Sequence, residues 1–314
     1  MGPDLFTLAL HRISFLTTAE KQLLHEAVQA ESALRRMSAH EISRLIGRSV
    51  RADAWKPSEV LREAEGDAEV LLEGEIGCIS VFDPSYPPQL AEIFDPPFLL
   101  FYRGSLPDNT RPALAVVGTR YPSSAGLDAA FDLSFQAADA GISVVSGLAL
   151  GIDTAAHQGA LHSGGYTIAV LGCGCDTLYP RSSAPVGRGI LASGGCIVSE
   201  FPPGTAPRPY HFPQRNRIIS GLSRGTVVVQ APERSGALIT ADFALEQGRD
   251  LFVYGGLLES SGNLGCRELA ASGAPAVVGV SDVLKEWGIS VRRGIREASD
   301  CGDSVGVALA GMLE

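Results

Sequence analysis

The chain has 314 residues, 45% of them hydrophobic and 19% charged, and a formal net charge of −10. These proportions describe a well-packed protein of one large domain or two unequal ones and exclude a disordered chain. No run approaches the roughly 18 apolar residues of a membrane helix, and the start, MGPDLFTLALHRISFL, has an early acid and no small-residue cleavage pattern. Neither a membrane span nor a signal peptide is expected, and the location reads as cytoplasmic.

The charge is uneven. Residues 1–100 net −7 and residues 225–314 net −5, whereas residues 101–224 carry nine arginines against seven acids. Arginine matches phosphate geometry through a rigid fork, where lysine acts as a point charge. The whole chain has three lysines, so composition accounts for part of this preference. The six cysteines (78, 173, 175, 196, 266, 301) lack the spacing of a disulfide framework. Cys173 and Cys175 form C-x-C, but no second ligand pair follows, and small residues in a glycine-rich turn are the reading preferred to a metal site.

Residues 5–73 read as short helices. Apolar positions recur at helical spacing in 19–37 and 38–48, where Ser38 and Glu41 make a capping box. This predicts a helical N-terminal unit over 1–80, of helix-hairpin-helix or sterile-alpha-motif type, with nothing to choose between them. Residues 83–104 are proline-rich and read as a packed linker with a first edge strand at 98–102. From 113 short β-branched runs alternate with helical stretches: 113–118, 142–147, 166–172, 196–200, 225–231, 250–256 and 274–279. Strands apolar throughout and separated by helices predict a mostly parallel, doubly wound, Rossmann-like α/β sheet over 81–289. Residues 290–314 read as a poorly ordered tail or as the start of a further domain.

Three strands end in a glycine-rich turn and a helix start: VVGTRYPSSAG (116–126), VVSGLALGIDTAAHQGAL (144–161) and VVVQAPERSGALITADFAL (227–245). In an open parallel sheet ligands bind outside the carboxyl ends of the strands, where helix N-termini favour anions. Three such turns predict a row of anion sites. The dinucleotide fingerprint and the P-loop are both missing. Arg120, two residues past Gly118, sits at the mouth of the first turn, facing an anion or salt-bridged at a helix start. Asp153 and His157, at i and i+4, share a helix face. That spacing suits acid–base or metal chemistry, and equally a structural cap with its neighbour; Ser146 is a weak candidate nucleophile. Ser235 can cap its helix, with Thr240 farther along it. RPYHFPQRNRIISGLSRG (208–225) gathers Arg208, His211, Arg215, Arg217 and Arg224 with Tyr210 and Phe212, and no acid lies between Glu200 and Glu233. Cations interleaved with aromatic rings suit single-stranded nucleic acid; a helix start whose arginines pair within the fold is the other reading, and Glu200 is a named alternative partner for Arg217.

At this point the chain resembles the DNA-processing protein A family (DprA, also called Smf). The matching segments are Tyr86–Leu90, Gly118–Arg120, Ser146–His157, Tyr179–Pro180, Ser199–Pro202, Phe212–Ser223 and Ser235–Ala241, in order over roughly 83–280. The resemblance implies a non-enzymatic mediator that binds and protects incoming single-stranded DNA and loads a RecA-type recombinase on it, in natural transformation and recombination. It implies a homodimer joined through the later part of the core, and single-stranded DNA-binding protein as a further partner. No cofactor, metal or catalytic residue is expected. The implied nucleic-acid site draws on Gly118, Thr119, Arg120, Ser146, Gly147, Phe212, Arg215, Asn216, Arg217, Ser235 and Gly236. The family often has an asparagine and a nearby lysine after Tyr-Pro; here Arg181-Ser182-Ser183 follows, and Arg181 and Arg188 are the candidate replacements. Gln230-Ala231 stands for the usual Glu-Ala, and Gly265-Cys266-Arg267-Glu268-Leu269 for Gly-x-Asn-x-Leu. Many relatives append a small winged-helix-like domain, for which residues 290–314 are too short. The competing class is a phosphoribohydrolase-like nucleotide enzyme. YGGLLESSG (254–262) lacks the motif of such enzymes, although Glu259 makes the comparison legitimate.

Overall fold

The computed structural model describes residues 4–289, so the tail at 290–314 lies outside the described residues. Five helices come first: α1 (Leu5–Arg12), α2 (Thr18–Val28), α3 (Glu31–Leu34), α4 (Ala39–Ile46) and α5 (Pro57–Glu73). Local chemistry starts them. Thr17 and Ser38 form capping boxes with Glu20 and Glu41, and Pro57 opens α5.

The sheet has nine strands. β1 (Gly77–Ser80), the short α6 (Pro88–Ala91) and β2 (Leu99–Gly104) precede the alternating part, which runs β3 (Ala113–Val117), α7 (Ser124–Asp139), β4 (Ser143–Ser146), α8 (Ile152–His162), β5 (Thr167–Val170), α9 (Ala184–Ala192), β6 (Cys196–Ser199), α10 (His211–Gly221), β7 (Gly225–Val228), α11 (Gly236–Glu246), β8 (Asp250–Tyr254), α12 (Leu264–Ala271), β9 (Ala276–Val277) and α13 (Val280–Glu286). The strand order is β1-β2-β6-β5-β4-β3-β7-β8-β9. β3 through β9 pair in parallel, while β1–β2 and β2–β6 are antiparallel. The chain winds outward from β3 in one direction through β6, then returns to lay β7 on the other side of β3. This is the doubly wound Rossmann-like arrangement, with its switch point at β3 and β7.

Period-2 alternation sends side chains to the two faces. On one face Leu114, Val116, Val144 and Val227 pack with α7, α8 and α13. On the other, Ala115, Val117, Val145 and Val228 pack with α10, α11 and α12.

The structure revises the sequence reading at one edge of the sheet. The strand expected at the edge, 98–102, is β2, and it lies second from the edge because Gly77–Ser80 pairs outside it. A four-residue strand carrying one glycine, one cysteine and one serine gives too short a pattern to separate from the loop after an acidic helix. The sheet's first strand thus begins at Gly77. The N-terminal helices pack on the sheet: Leu8, Leu10, Leu24 and Leu61 share one core with Phe98, Leu99, Phe101 and Ile197. None of the described helices is long and apolar enough to cross a membrane.

Candidate nucleic-acid interface

A cleft of about 420 Å³ opens at the carboxyl ends of β3 and β7, where an open α/β sheet places its ligands. One lip is the β3–α7 loop, with Gly118, Thr119, Arg120 and Tyr121. The facing lip is the β7–α11 loop, with Arg234, Ser235 and Gly236. Phe212, Arg215 and Asn216 of α10 form the wall between, and Asp153 lies at the base.

The lips are braced. The Gln230 carbonyl accepts the Thr119 N–H at 2.7 Å, and its side-chain oxygen accepts from the Ser123 N–H at 3.0 Å. Gln230, two residues past β7, thus fixes the loop that presents Arg120. Gly118 allows the fit: a Cβ there would come within 2.5 Å of the Ile152 side chain and 2.9 Å of the Gln230 carbonyl. Ser235 caps α11 by accepting from the Ala237 N–H at 3.3 Å. The Asn216 amide donates to the Gly236 carbonyl at 3.2 Å and ties α10 to this lip.

The arginines divide. Arg120 is exposed, and its guanidinium lies over the Phe212 ring, 5.5 Å from the centroid. Phe212 in turn packs against Tyr179 at 5.7 Å. Arg215 is only 3% exposed. It donates to the Gly147 carbonyl at 2.8 Å and to the Val170 carbonyl, and burial lowers its pKa to about 10, offset in part by Asp153. A Cβ on Gly147 would come within 2.5 Å of this guanidinium and 2.7 Å of the Asp153 carboxylate, so any larger residue there would collide with both groups. Arg217 turns away from the cleft and grips Glu200 in a bidentate pair at 2.6 and 2.7 Å. It also donates to the Asp95 carbonyl at 3.0 Å. Of the two expectations for Arg217, the internal pair is the one the structure displays.

Other expected positions also fall outside the cleft. Ser146 is fully buried and donates to the Val116 carbonyl at 2.7 Å, because β4 is an interior strand whose last residue lies beside β3. Gly147 offers its backbone to Asp153 and Arg215. Arg181 and Arg188 are exposed but do not line the cleft. Asp153 and His157 form no acid–base pair. Asp153 accepts from the N–H groups of Gly147 and Ala149, and burial raises its carboxyl above the usual range. His157 faces the Thr167 hydroxyl at 2.7 Å, and burial lowers its pKa to about 3. Cys173 and Cys175 are core residues with thiols pushed by burial to about 11 and 12. No cluster of three metal-ligating side chains occurs among the described residues.

Among the lining residues that sequence reasoning passed over, Tyr121 and Arg234 are the aromatic ring and the cation. Each is chain neighbour to a residue that the motifs did mark, Arg120 and Ser235, which is the signal that could have found them. Arg208, noted in the basic run, is exposed beside the cleft and donates to the Tyr210 hydroxyl at 2.8 Å.

Residues 77–288 match the family model for DNA recombination-mediator protein A. The chain is 44% identical over 208 residues to the DNA processing protein DprA of Streptococcus pneumoniae, covering 66% of this chain and 73% of that protein. It is 44% identical over 200 residues to protein Smf of Escherichia coli, where the match covers 64% of this chain and about half, 54%, of the relative. Among solved structures, DprA from Streptococcus pneumoniae superposes with a TM-score of 0.74 at 36% identity, covering 93% of this chain and all of that one. DNA processing protein A from Helicobacter pylori, solved for its single-stranded DNA binding mode, gives a TM-score of 0.60 at 27% identity over 68% of this chain and 95% of that one. A Rossmann-like sheet whose switch point carries the Gly-Thr-Arg turn, the Arg-Asn-Arg helix and the Ser-Gly cap, matched over most of its length, places this chain in the DNA recombination-mediator protein A family of DNA-processing proteins.

Proposed function

We propose that this protein binds single-stranded DNA along the carboxyl edge of its sheet, without catalysis, protects incoming strands and loads a RecA-type recombinase on them in the cytoplasm during natural transformation and recombination. The observation that carries the reading is the open cleft at the switch point, where Arg120 lies free over Phe212 beside the exposed ring of Tyr121. A free cation tracks a phosphate and an aromatic face takes a base, which is the recipe for a single strand. The Helicobacter pylori relative, with its single-stranded DNA binding mode, supports the choice of ligand.

The phosphoribohydrolase-like reading requires an acid poised over a bound nucleotide. Glu259 is exposed and does not line the cleft. Among the described residues the one carboxylate that does, Asp153, is engaged with two backbone N–H groups, with Arg215 in its neighbourhood.

The protein also works as a homodimer in this reading. Of the apolar residues on α11, Leu238 packs inward, whereas Leu245 and Ile239 stay 59% and 36% exposed and are available to a second copy. Single-stranded DNA-binding protein is a further partner in this scheme.

The test is a titration with single- and double-stranded oligonucleotides of equal length. Clear preference for the single strand, with little dependence on sequence, is expected; equal affinity for the duplex would refute the reading.

A further inference from the structure

Of the arginines that line the cleft two are exposed and form no ion pair among the described residues, and they ride on different loops. Arg120 sits on the β3–α7 loop and Arg234 on the β7–α11 loop, one residue before the Ser235 cap. β3 and β7 are adjacent and parallel, with Val117 opposite Val228. The two loops therefore leave the sheet side by side and face each other across the mouth. Both side chains are exposed, and neither forms an ion pair among the described residues, Glu233 beside Arg234 included.

The base of the cleft is electrically different. There the buried carboxyl of Asp153 faces the buried guanidinium of Arg215, whose donors already serve the Gly147 and Val170 carbonyls. A phosphate pushed down to that level would meet the Asp153 carboxylate, whereas at the rim it meets arginine from both sides. Access from above is open on the second lip, since a Cβ on Gly236 would touch nothing within 4 Å. The lips are also held at a fixed separation, because Gln230, two residues past β7, bonds the Thr119 N–H and the Ser123 N–H of the opposite loop.

We infer that Arg234 is a phosphate-binding residue, and that the backbone of a bound strand crosses the rim between Arg120 and Arg234 and not along the Arg215 and Arg217 fork of α10. The inference rests on the proposal that the cleft takes single-stranded DNA. Guanidinium forks on two sides of one path can grip neighbouring phosphates and leave the base between them free to enter the cleft.

The experiment measures binding of a fluorescent oligothymidylate to the full chain over a salt series, for the wild type, Arg120→Ala, Arg234→Ala, Arg234→Lys and the double alanine variant, with a melting curve for each. Arg234→Ala is expected to bind about tenfold more weakly, the effect of losing one charge-assisted hydrogen bond. Its log–log salt slope should be shallower by about 0.7, one phosphate on a single strand. The double variant should lose about twice that slope, Arg234→Lys should retain the slope with weaker binding, and no melting temperature should change. Wild-type affinity and slope in Arg234→Ala, with Arg120→Ala impaired, overturns this inference and leaves the single-strand reading standing. A wild-type chain that binds no single strand overturns both.

Discussion

Arg215 and Arg217 share one corner of the molecule with Arg120 and Arg234, yet the two pairs live under different physics. The α10 pair is inside. Arg215 serves two carbonyls, and Arg217 is clamped on Glu200. The loop pair is outside, with guanidinium groups in water and only a ring beneath Arg120. An arginine on a helix packed against a sheet is bound by what the sheet presents to it, and one on a loop past the strand end keeps its donors for something else. Identity of residue type says little about role; the side of the sheet edge on which the Cα falls says much.

The contrast breaks most visibly at Arg215. Arg215→Ala leaves the buried Gly147 and Val170 carbonyls without their donor, a loss of about 1–3 kcal/mol for each orphaned group. That corresponds to a fall in melting temperature of roughly 10 °C. A variant that melts like the wild type and loses affinity with a shallower salt slope would move Arg215 into the outer pair. Arg217→Ala comes next. It removes a bidentate pair whose partners are 12% and 18% exposed, at a cost of about 1–3 kcal/mol, read as a lower urea midpoint with an unchanged salt slope for DNA. A changed slope with an unchanged midpoint would contradict the assignment.

The smallest effect at neutral pH, and the one that tests the interior by itself, concerns His157. Burial holds its pKa at about 3 against an ordinary 6.5. Between those values the unfolded chain takes up a proton that the folded one refuses, so stability falls as pH drops through this window and the loss is complete below it. His157→Gln should unfold at a lower pH than the wild type in an acid titration followed by circular dichroism. An acid midpoint that does not move would show that His157 is protonated without penalty.

Much of the fold is legible in the sequence because the seven parallel strands lie in apolar, Val-, Ile-, Ala- and Leu-rich runs that stand out between helices. The anion-binding corner is legible too, because glycine turns at strand ends are a backbone signal. Side-chain direction is harder to read, although part of it is present. Counting from Arg215, Ile218, Ile219 and Leu222 fall at i+3, i+4 and i+7, the buried stripe of α10. That spacing by itself places Arg215 on the inner face of its helix. What no spacing can show is that Gly147 and Val170, 68 and 45 residues away, supply the carbonyls that receive it. Ser146 meets the same limit. A hydroxyl at a strand end looks available to a ligand until a neighbouring strand covers it.

β1 carries a consequence for how this chain can be divided. It is four residues long, and it occupies the outer hydrogen-bonding row of β2, whose sequence is LLFYRG. A fragment cut at residue 81 to isolate the sheet would strip that row bare and uncover the Leu99 and Phe101 side chains that the N-terminal helices hide. Such an edge is a template for another copy of itself, and the product would be a precipitating, strand-paired aggregate. Four inconspicuous residues thus act as the guard that keeps an apolar strand from recruiting its neighbours.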